Sequence, residues 1–501
     1  MKQRTAPLEM TSGDFRTAGH RLVDQIAEWL DAMPRGPVVH DESPLDVRRA
    51  LKADEALPES GADAGTLLDE ATGLLFNHSL FNGHPRFFGY ITSSPAPIGA
   101  LGDLLASAVN QNVGSWRLAP IATEIETQTV RWIATLIGFP TDAGGLLVTG
   151  GNMANFVCFL AARTAALSSV RSGGLRSTAA PLYVYASTET HTWIQKAADL
   201  FGLGTDAIRW IPVDGEQRMD VEALDAQITA DKRDGGLPLL VVGTAGTVGT
   251  GAVDPLAEIG RLCRRHNVWF HVDGAYGAMA ARVPGAPEDL LAMADADSVA
   301  VDPHKWLYAP VEAGCALVRR PADLQRTFSY HPSYYHFDQE VMNYYEYGPQ
   351  NSRGFRALKV WLALRQVGRS GYLEMIGDDM RLARHLHELI CSHPDFEAMT
   401  QHLSITTFRY VPHDLSATSP NPNTEEYLRR LNEELLSRVE RSGQAFLSNA
   451  VVGGKFALRA CIVNFRTSLE DIEALPPLLA RFGREADIQL RGFVSQAPGG
   501  K

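Results

Sequence analysis

Residues 268–277 read VWFHVDGAYG, an apolar run that ends on Asp273 and turns at Gly274. A short apolar run closed by a turn fits a strand with both faces covered, as in a parallel sheet. An aspartate at the end of such a strand is costly to bury without a partner. It either pairs with a cationic ring nitrogen or caps the helix that follows.

Outward from this run the same rhythm repeats. Further β-rich runs occur at 146–149, 183–187, 239–243 and 298–302, with helical stretches such as 155–167 and 255–266 between them. This alternation predicts an α/β fold over 98–370, a mainly parallel central sheet with helices on both faces. Residues 314–319 read as one more strand, possible as an antiparallel one. Before this region, 1–97 reads as an N-terminal arm with Leu22, Ile26, Trp29 and Leu30 at helical spacing in 14–33. The Pro-rich passage at Pro95 and Pro97 closes the arm. After it, 371–501 mixes helices with strand-like runs at 404–410 and 456–464, a smaller α+β domain holding a polar loop at 417–422.

Ligands gather at the carboxyl ends of parallel strands, and three other unusual segments fall at such ends. Thr149-Gly150-Gly151-Asn152-Met153-Ala154-Asn155 follows a strand and opens a helix. Glycines there let backbone N–H groups approach an anion, and the helix start adds positive potential. The same turn also serves as a plain connection. Asp302-Pro303-His304-Lys305-Trp306 sets a lysine among apolar neighbours. Desolvation lowers an amine's pKa and suits it to imine formation, although a loop lysine can also snorkel to solvent. His191, in Thr188-Glu189-Thr190-His191, can stack on a flat ring or serve as an ordinary structural histidine.

Composition narrows the classes. The 501 residues carry a net charge of −12, which argues against a nucleic-acid partner. Cys158, Cys263, Cys315, Cys391 and Cys461 are scattered with no CxxC pair, so neither a disulfide framework nor a metal site is expected. Met1 to Phe15 holds no apolar segment of signal-peptide type, and no run approaches the ~18 residues of a membrane span. These features give a cytoplasmic location and no membrane partner as the expectation.

Taken together the segments resemble the group II pyridoxal-phosphate (PLP) dependent decarboxylases, which include the aromatic amino acid and glutamate decarboxylases. The likeness runs through HPRFFGY (84–90), GGNMAN (150–155), TETH (188–191), HVDGAYG (271–277) and DPHKW (302–306). It extends to DFRTAGHRLVDQIAEWL (14–30), SYHPSYYH (329–336), NSRGFRALKVW (351–361) and KFALRACIVNFRTS (455–468), almost the whole chain. The resemblance implies a fold-type-I, aspartate-aminotransferase-like architecture and PLP held as a Schiff base on Lys305. It implies that Asp273 pairs with the pyridinium nitrogen and that His191 and Ala275 cover the two ring faces. The amides of Gly151, Asn152 and Met153 would hold the phosphate, with His304 nearby and Thr247 reaching the cofactor. The implied reaction removes an L-amino acid's carboxylate as carbon dioxide, with Tyr334 protonating the α-carbon and a homodimer completing the site. Arg459 matches an arginine that holds the substrate's α-carboxylate in some members, or else a salt-bridged residue of the small domain.

The sequence also departs from the pattern. Asp302 stands where the aromatic branch usually has Asn, and Gly354 replaces an arginine common after Arg353. Tyr90, Thr92, Asn112 and Gly114 are the expected substrate-pocket positions, with Gly114 in place of a bulky residue widening the pocket. An aromatic substrate is favoured by a narrow margin. The alternatives are an aldehyde-forming oxidative branch, a lyase of phosphorylated amino alcohols, an aminotransferase and a non-catalytic relative. Intact Tyr334 favours amine over aldehyde, because aldehyde-forming members usually carry Phe there.

Overall fold

A computed structural model of the chain describes residues 6–330, 341–416 and 422–496. Eleven strands in these residues form two sheets. The larger contains β1 (Gly144–Val148), β2 (Leu182–Ser187), β3 (Ile208–Ile211), β4 (Leu237–Thr244), β5 (Trp269–Asp273), β6 (Ser298–Val301) and β7 (Gly314–Val318). Its order is β1-β7-β6-β5-β4-β2-β3. β2 pairs in parallel with β3 and β4, β4 with β5, and β5 with β6. β7 runs antiparallel between β6 and β1. The short strand β3 escapes the sequence reading, because in Ile208-Arg209-Trp210-Ile211 only the two end residues are buried, at the sheet edge.

Burial on both faces explains the apolar runs. Every residue of β1, β5, β6 and β7 is buried. One face packs into a core with Val241, Phe270, Val272 and Val299, the other into a core with Leu240, Val242, Trp269 and Ala300. Alternate residues of one strand thus enter opposite cores, as a two-residue period requires.

The second sheet is antiparallel, in the order β10-β11-β9-β8, from β8 (Phe396–His402), β9 (Ile405–Tyr410), β10 (Ser448–Val452) and β11 (Lys455–Cys461). The long helix Ala357–Ser392 links the two regions and breaks its helical geometry at Gly368, where φ is 67°. The HPRFFGY passage joins the smaller sheet rather than the arm. Phe88 donates its N–H to the Phe446 carbonyl at 2.7 Å, accepts from Cys461 N–H at 2.9 Å and is buried in that region's core.

Candidate active site

The carboxyl ends of β2, β4, β5 and β6 and the start of the Gly150–Ala166 helix meet around a cavity of about 330 Å³. Gly151, Asn152, His191, Asp273, Ala275, His304 and Lys305 all line it. Ile91, Thr244, Tyr276 and Asp302 complete much of the wall.

The Gly150–Ala166 helix starts with no side-chain cap and no acidic residue in its first turn. Its leading N–H groups therefore have no intrahelical acceptor and no side-chain substitute. Gly150 takes φ of 80° to enter this turn. A Cβ on Gly151 would lie 2.6 Å from an Asp302 carboxylate oxygen and 3.3 Å from the Ala275 methyl, so a side chain there would fill the cradle. Uncapped amides at a helix start favour an anion such as a phosphate.

Asp273 ends β5 and is buried. Trp193 Nε1 donates to its Oδ2 at 2.7 Å, and Ala275 N–H reaches its Oδ1 at 3.2 Å. These donors aim the carboxylate without neutralising it, so it can still accept from a cationic ring nitrogen. Two residues earlier, His271 forms a buried chain below it. His271 Nε2 and Asn155 Oδ1 lie 2.7 Å apart, and His271 Nδ1 and Ser298 Oγ 2.9 Å. Trp269 Nε1 in turn donates to Ser298 Oγ at 2.8 Å. Burial pulls the His271 pKa down to about 4, so the ring is neutral and acts as a fixed relay of hydrogen bonds. Trp193 and the His271 relay are absent from the sequence reading. Trp193 lies in the polar stretch Thr190–Lys196 and His271 in an apolar one, and nothing in either sequence distinguishes a positioning role from packing.

Lys305 Nζ lies 3.4 Å from Asp302 Oδ2. Burial lowers the pKa of His191, favouring a neutral ring that can lie flat on a ligand. Its Nδ1 accepts from Trp193 N–H at 3.2 Å, which fixes the ring relative to Asp273's partner. Two buried polar atoms on the cavity wall, Asp302 Oδ1 and Thr244 Oγ1, have no protein partner. Such orphans are costly unless a ligand or water meets them. A flat ring with a cationic nitrogen at Asp273, a phosphate at Gly151 and a carbonyl at Lys305 fits this wall.

Other expected residues lie elsewhere. Thr247 is fully buried inside its turn, its hydroxyl 2.9 Å from Thr250 Oγ1 and accepting from Ala252 N–H at 3.1 Å; its neighbours Gly246 and Val248 face the cavity instead. Met153 does not line the cavity, and its side chain packs on the core. Arg459 is buried on β11, donates to Ser448 Oγ at 2.9 Å and to the Val248 carbonyl, and so braces the cavity wall from behind. Tyr90 is largely exposed and tilted against Phe446, and Thr92 is off the cavity wall, where Ile91 stands. Asn112 accepts from Arg353 N–H at 3.0 Å. Gly114 opens no space within the chain: a Cβ there would meet the Asn351 carbonyl at 2.3 Å, so the glycine permits close backbone approach. Gly354 has nothing within 4 Å of a Cβ. Arg353 is buried, bonded to Glu126 Oε1 at 2.5 Å and to the Leu147 carbonyl at 2.7 Å, a structural role. Tyr334 lies outside the described residues.

A family model described as the pyridoxal-dependent decarboxylase conserved domain matches residues 44–411. An aromatic-L-amino-acid decarboxylase from Bacillus atrophaeus is 32% identical, over 96% of this chain and 98% of its own length. A phenylacetaldehyde synthase from a Rosa hybrid cultivar is 28% identical, over 90% of each. A solved structure of Oryza sativa TDC with PLP and tryptamine superposes with a TM-score of 0.88 at 28% identity, covering 96% of this chain and 99% of that one.

Proposed function

The chain belongs to the pyridoxal-dependent decarboxylase family, and from that premise we propose that it decarboxylates an aromatic L-amino acid and releases the amine. PLP is the cofactor and the enzyme is a carboxy-lyase acting on amino acids. The observation that carries the proposal is the meeting of Lys305, Asp273, His191 and the uncapped Gly150 turn in one cavity.

When bound, PLP supplies an aldehyde that takes up an amine and a ring that accepts the electron pair released with carbon dioxide. The protein's residues prepare that chemistry. The amides of Gly151 and Asn152 would hold the phosphate, with the Met153 amide next along the same helix start and His304 on the cavity wall. Asp273, aimed by Trp193, keeps a proton on the ring nitrogen. His191 and Ala275 would flank the ring. Lys305 would supply the amine that carries the cofactor's aldehyde. Tyr334 donates a proton to the substrate's α-carbon, which is what favours amine over aldehyde.

Two properties are part of the proposal. The apolar Pro97–Val109 helix leaves Leu101, Leu104, Leu105 and Val109 exposed, and Leu118 and Ile121 follow it. An apolar face of this kind supports pairing with a second copy of the chain. Among the described residues no single helix is long and apolar enough to cross a membrane, although Gly150–Ala166 and Val170–Ser177 together reach that length across a 105° bend. That pair includes the buried Gly150–Ala166 helix, which supports a core reading and, with the free cysteines, a cytoplasmic location.

Screening the PLP-loaded enzyme against L-amino acids, with carbon dioxide, amine, aldehyde and peroxide all recorded, tests the proposal. Amine with carbon dioxide from an aromatic substrate supports it. Aldehyde with peroxide assigns the oxidative branch represented by the rose relative. Turnover of a non-aromatic amino acid alone overturns the substrate preference.

A further inference from the structure

Asp302 is the residue of the site that the proposed chemistry leaves unused. It is buried, one carboxylate oxygen has no partner, and the other stands 2.6 Å from where a Cβ on Gly151 would be. It thus looks into the same turn that is read as the phosphate cradle. Lys305 is its contact cation at 3.4 Å, with His304 Nδ1 at 3.6 Å. Lys305 is also the amine that would take the aldehyde, with PLP and with pyridoxal alike, so its charge does not distinguish the two ligands. His304 Nδ1 lies 2.9 Å from the Ala313 carbonyl. The other titratable groups facing Asp302 are Asp273 on β5, His191 after β2 and Cys315 on β7. Burial holds the His191 ring toward its neutral form and the Cys315 thiol well above its usual range. None of these offers a permanent positive charge, and Asp273 adds a negative one.

A phosphate dianion in the cradle therefore faces a second buried anion at short range, an arrangement in which like charges disfavour joint ionisation. We propose that Asp302 makes the phosphate cradle proton-gated: its carboxyl takes a proton from solvent as the phosphate seats, and Oδ2–H, on the oxygen that faces the Gly151 turn, becomes a donor to the bound anion. Burial already raises the carboxyl's proton affinity, with Lys305 and His304 opposing. The gate rests on the reading of the Gly150–Met153 turn as the phosphate site.

The test compares PLP with pyridoxal, which lacks the phosphate, on cofactor-stripped wild-type chain and on Asp302→Asn between pH 7 and pH 8.5. Affinity is read from the visible absorbance of bound cofactor. Proton uptake is read by calorimetry in buffers of different ionisation enthalpy. With PLP, wild-type affinity should fall with rising pH more steeply than that of Asp302→Asn, the difference approaching about tenfold per pH unit, the slope for one linked proton. With pyridoxal the two proteins should share one slope. Wild-type chain should take up about one more proton with PLP than with pyridoxal at pH 8, and absence of that extra proton in Asp302→Asn assigns it to Asp302 rather than to the phosphate itself. Equal proton uptake with both ligands, while PLP still binds more tightly than pyridoxal, overturns the gate and leaves the cradle. Equal affinity for PLP and pyridoxal overturns the cradle reading itself.

Discussion

Asp273 ends a buried strand and accepts from Trp193 on the cavity wall, whereas Gly114 lies against the Asn351 carbonyl. Asp273 was open between a ring-nitrogen partner and a helix cap, and its place on the cavity wall beside Lys305 and His191 favours the first. Asp273→Asn should lower kcat on the order of 10²–10³, the usual loss when a preorganised charge is removed, with the fold unchanged by circular dichroism. Retained kcat would remove Asp273 from the site. Trp193 is a positioning residue, through the 2.7 Å hydrogen bond to that carboxylate. A buried hydrogen bond to a charged group contributes roughly 1.5–3 kcal/mol, so Trp193→Phe should cost about 10–100-fold in kcat. It should also shift the pH dependence of the bound cofactor's absorbance, which a purely packing role would not move. The sequence suggests Gly114 as a widening of the pocket, yet the Asn351 carbonyl occupies that space. Gly114→Ala should destabilise the chain by about 1–3 kcal/mol through overpacking. Unchanged thermal stability with altered substrate preference would restore the pocket reading.

At the scale of elements, the strands that position the site were legible because burial on both faces writes a continuous apolar run. β4, β5 and β6 end within one or two residues of expectation. The antiparallel strand β7 was readable only as a possibility, since an apolar run carries no direction. β3 was invisible, being short and half-exposed at the edge. The Lys305, Asp273, His191 and Gly151 cluster was legible because each sits at a strand end or helix start. Thr244 was not, because its buried, partnerless hydroxyl is a fact of packing. Helix surfaces carry their own prediction. Leu104 and Leu105 each expose just over half of their surface on the Pro97–Val109 helix. Replacing both with Asp should shift sedimentation from dimer to monomer. A wild-type chain that sediments as a monomer at micromolar concentration would contradict the proposed pairing.

Over the whole molecule, the large and small regions are joined at a buried carboxylate. Asp379, on the Ala357–Ser392 helix, accepts from Trp306 Nε1 at 2.8 Å and from the Tyr308 hydroxyl at 2.7 Å, on the turn that carries Lys305. Burial pushes its pKa up to about 7. A carboxyl raised in the folded state contributes stability that is complete below pH 4 and is lost as pH rises through about 7. A shift of that size corresponds to roughly 4 kcal/mol. The stability of Asp379→Asn relative to wild type should therefore improve between pH 5 and pH 8, read from urea midpoints. A constant difference would show that Asp379 does not titrate in that window. The central claim is that this fold exists to hold PLP on Lys305. Borohydride reduction of the PLP-loaded enzyme, followed by digestion and peptide mass spectrometry, tests it most directly. The cofactor's added mass is expected on the peptide containing Lys305; the same mass on another lysine, or on none, would rule out Lys305 as the anchor.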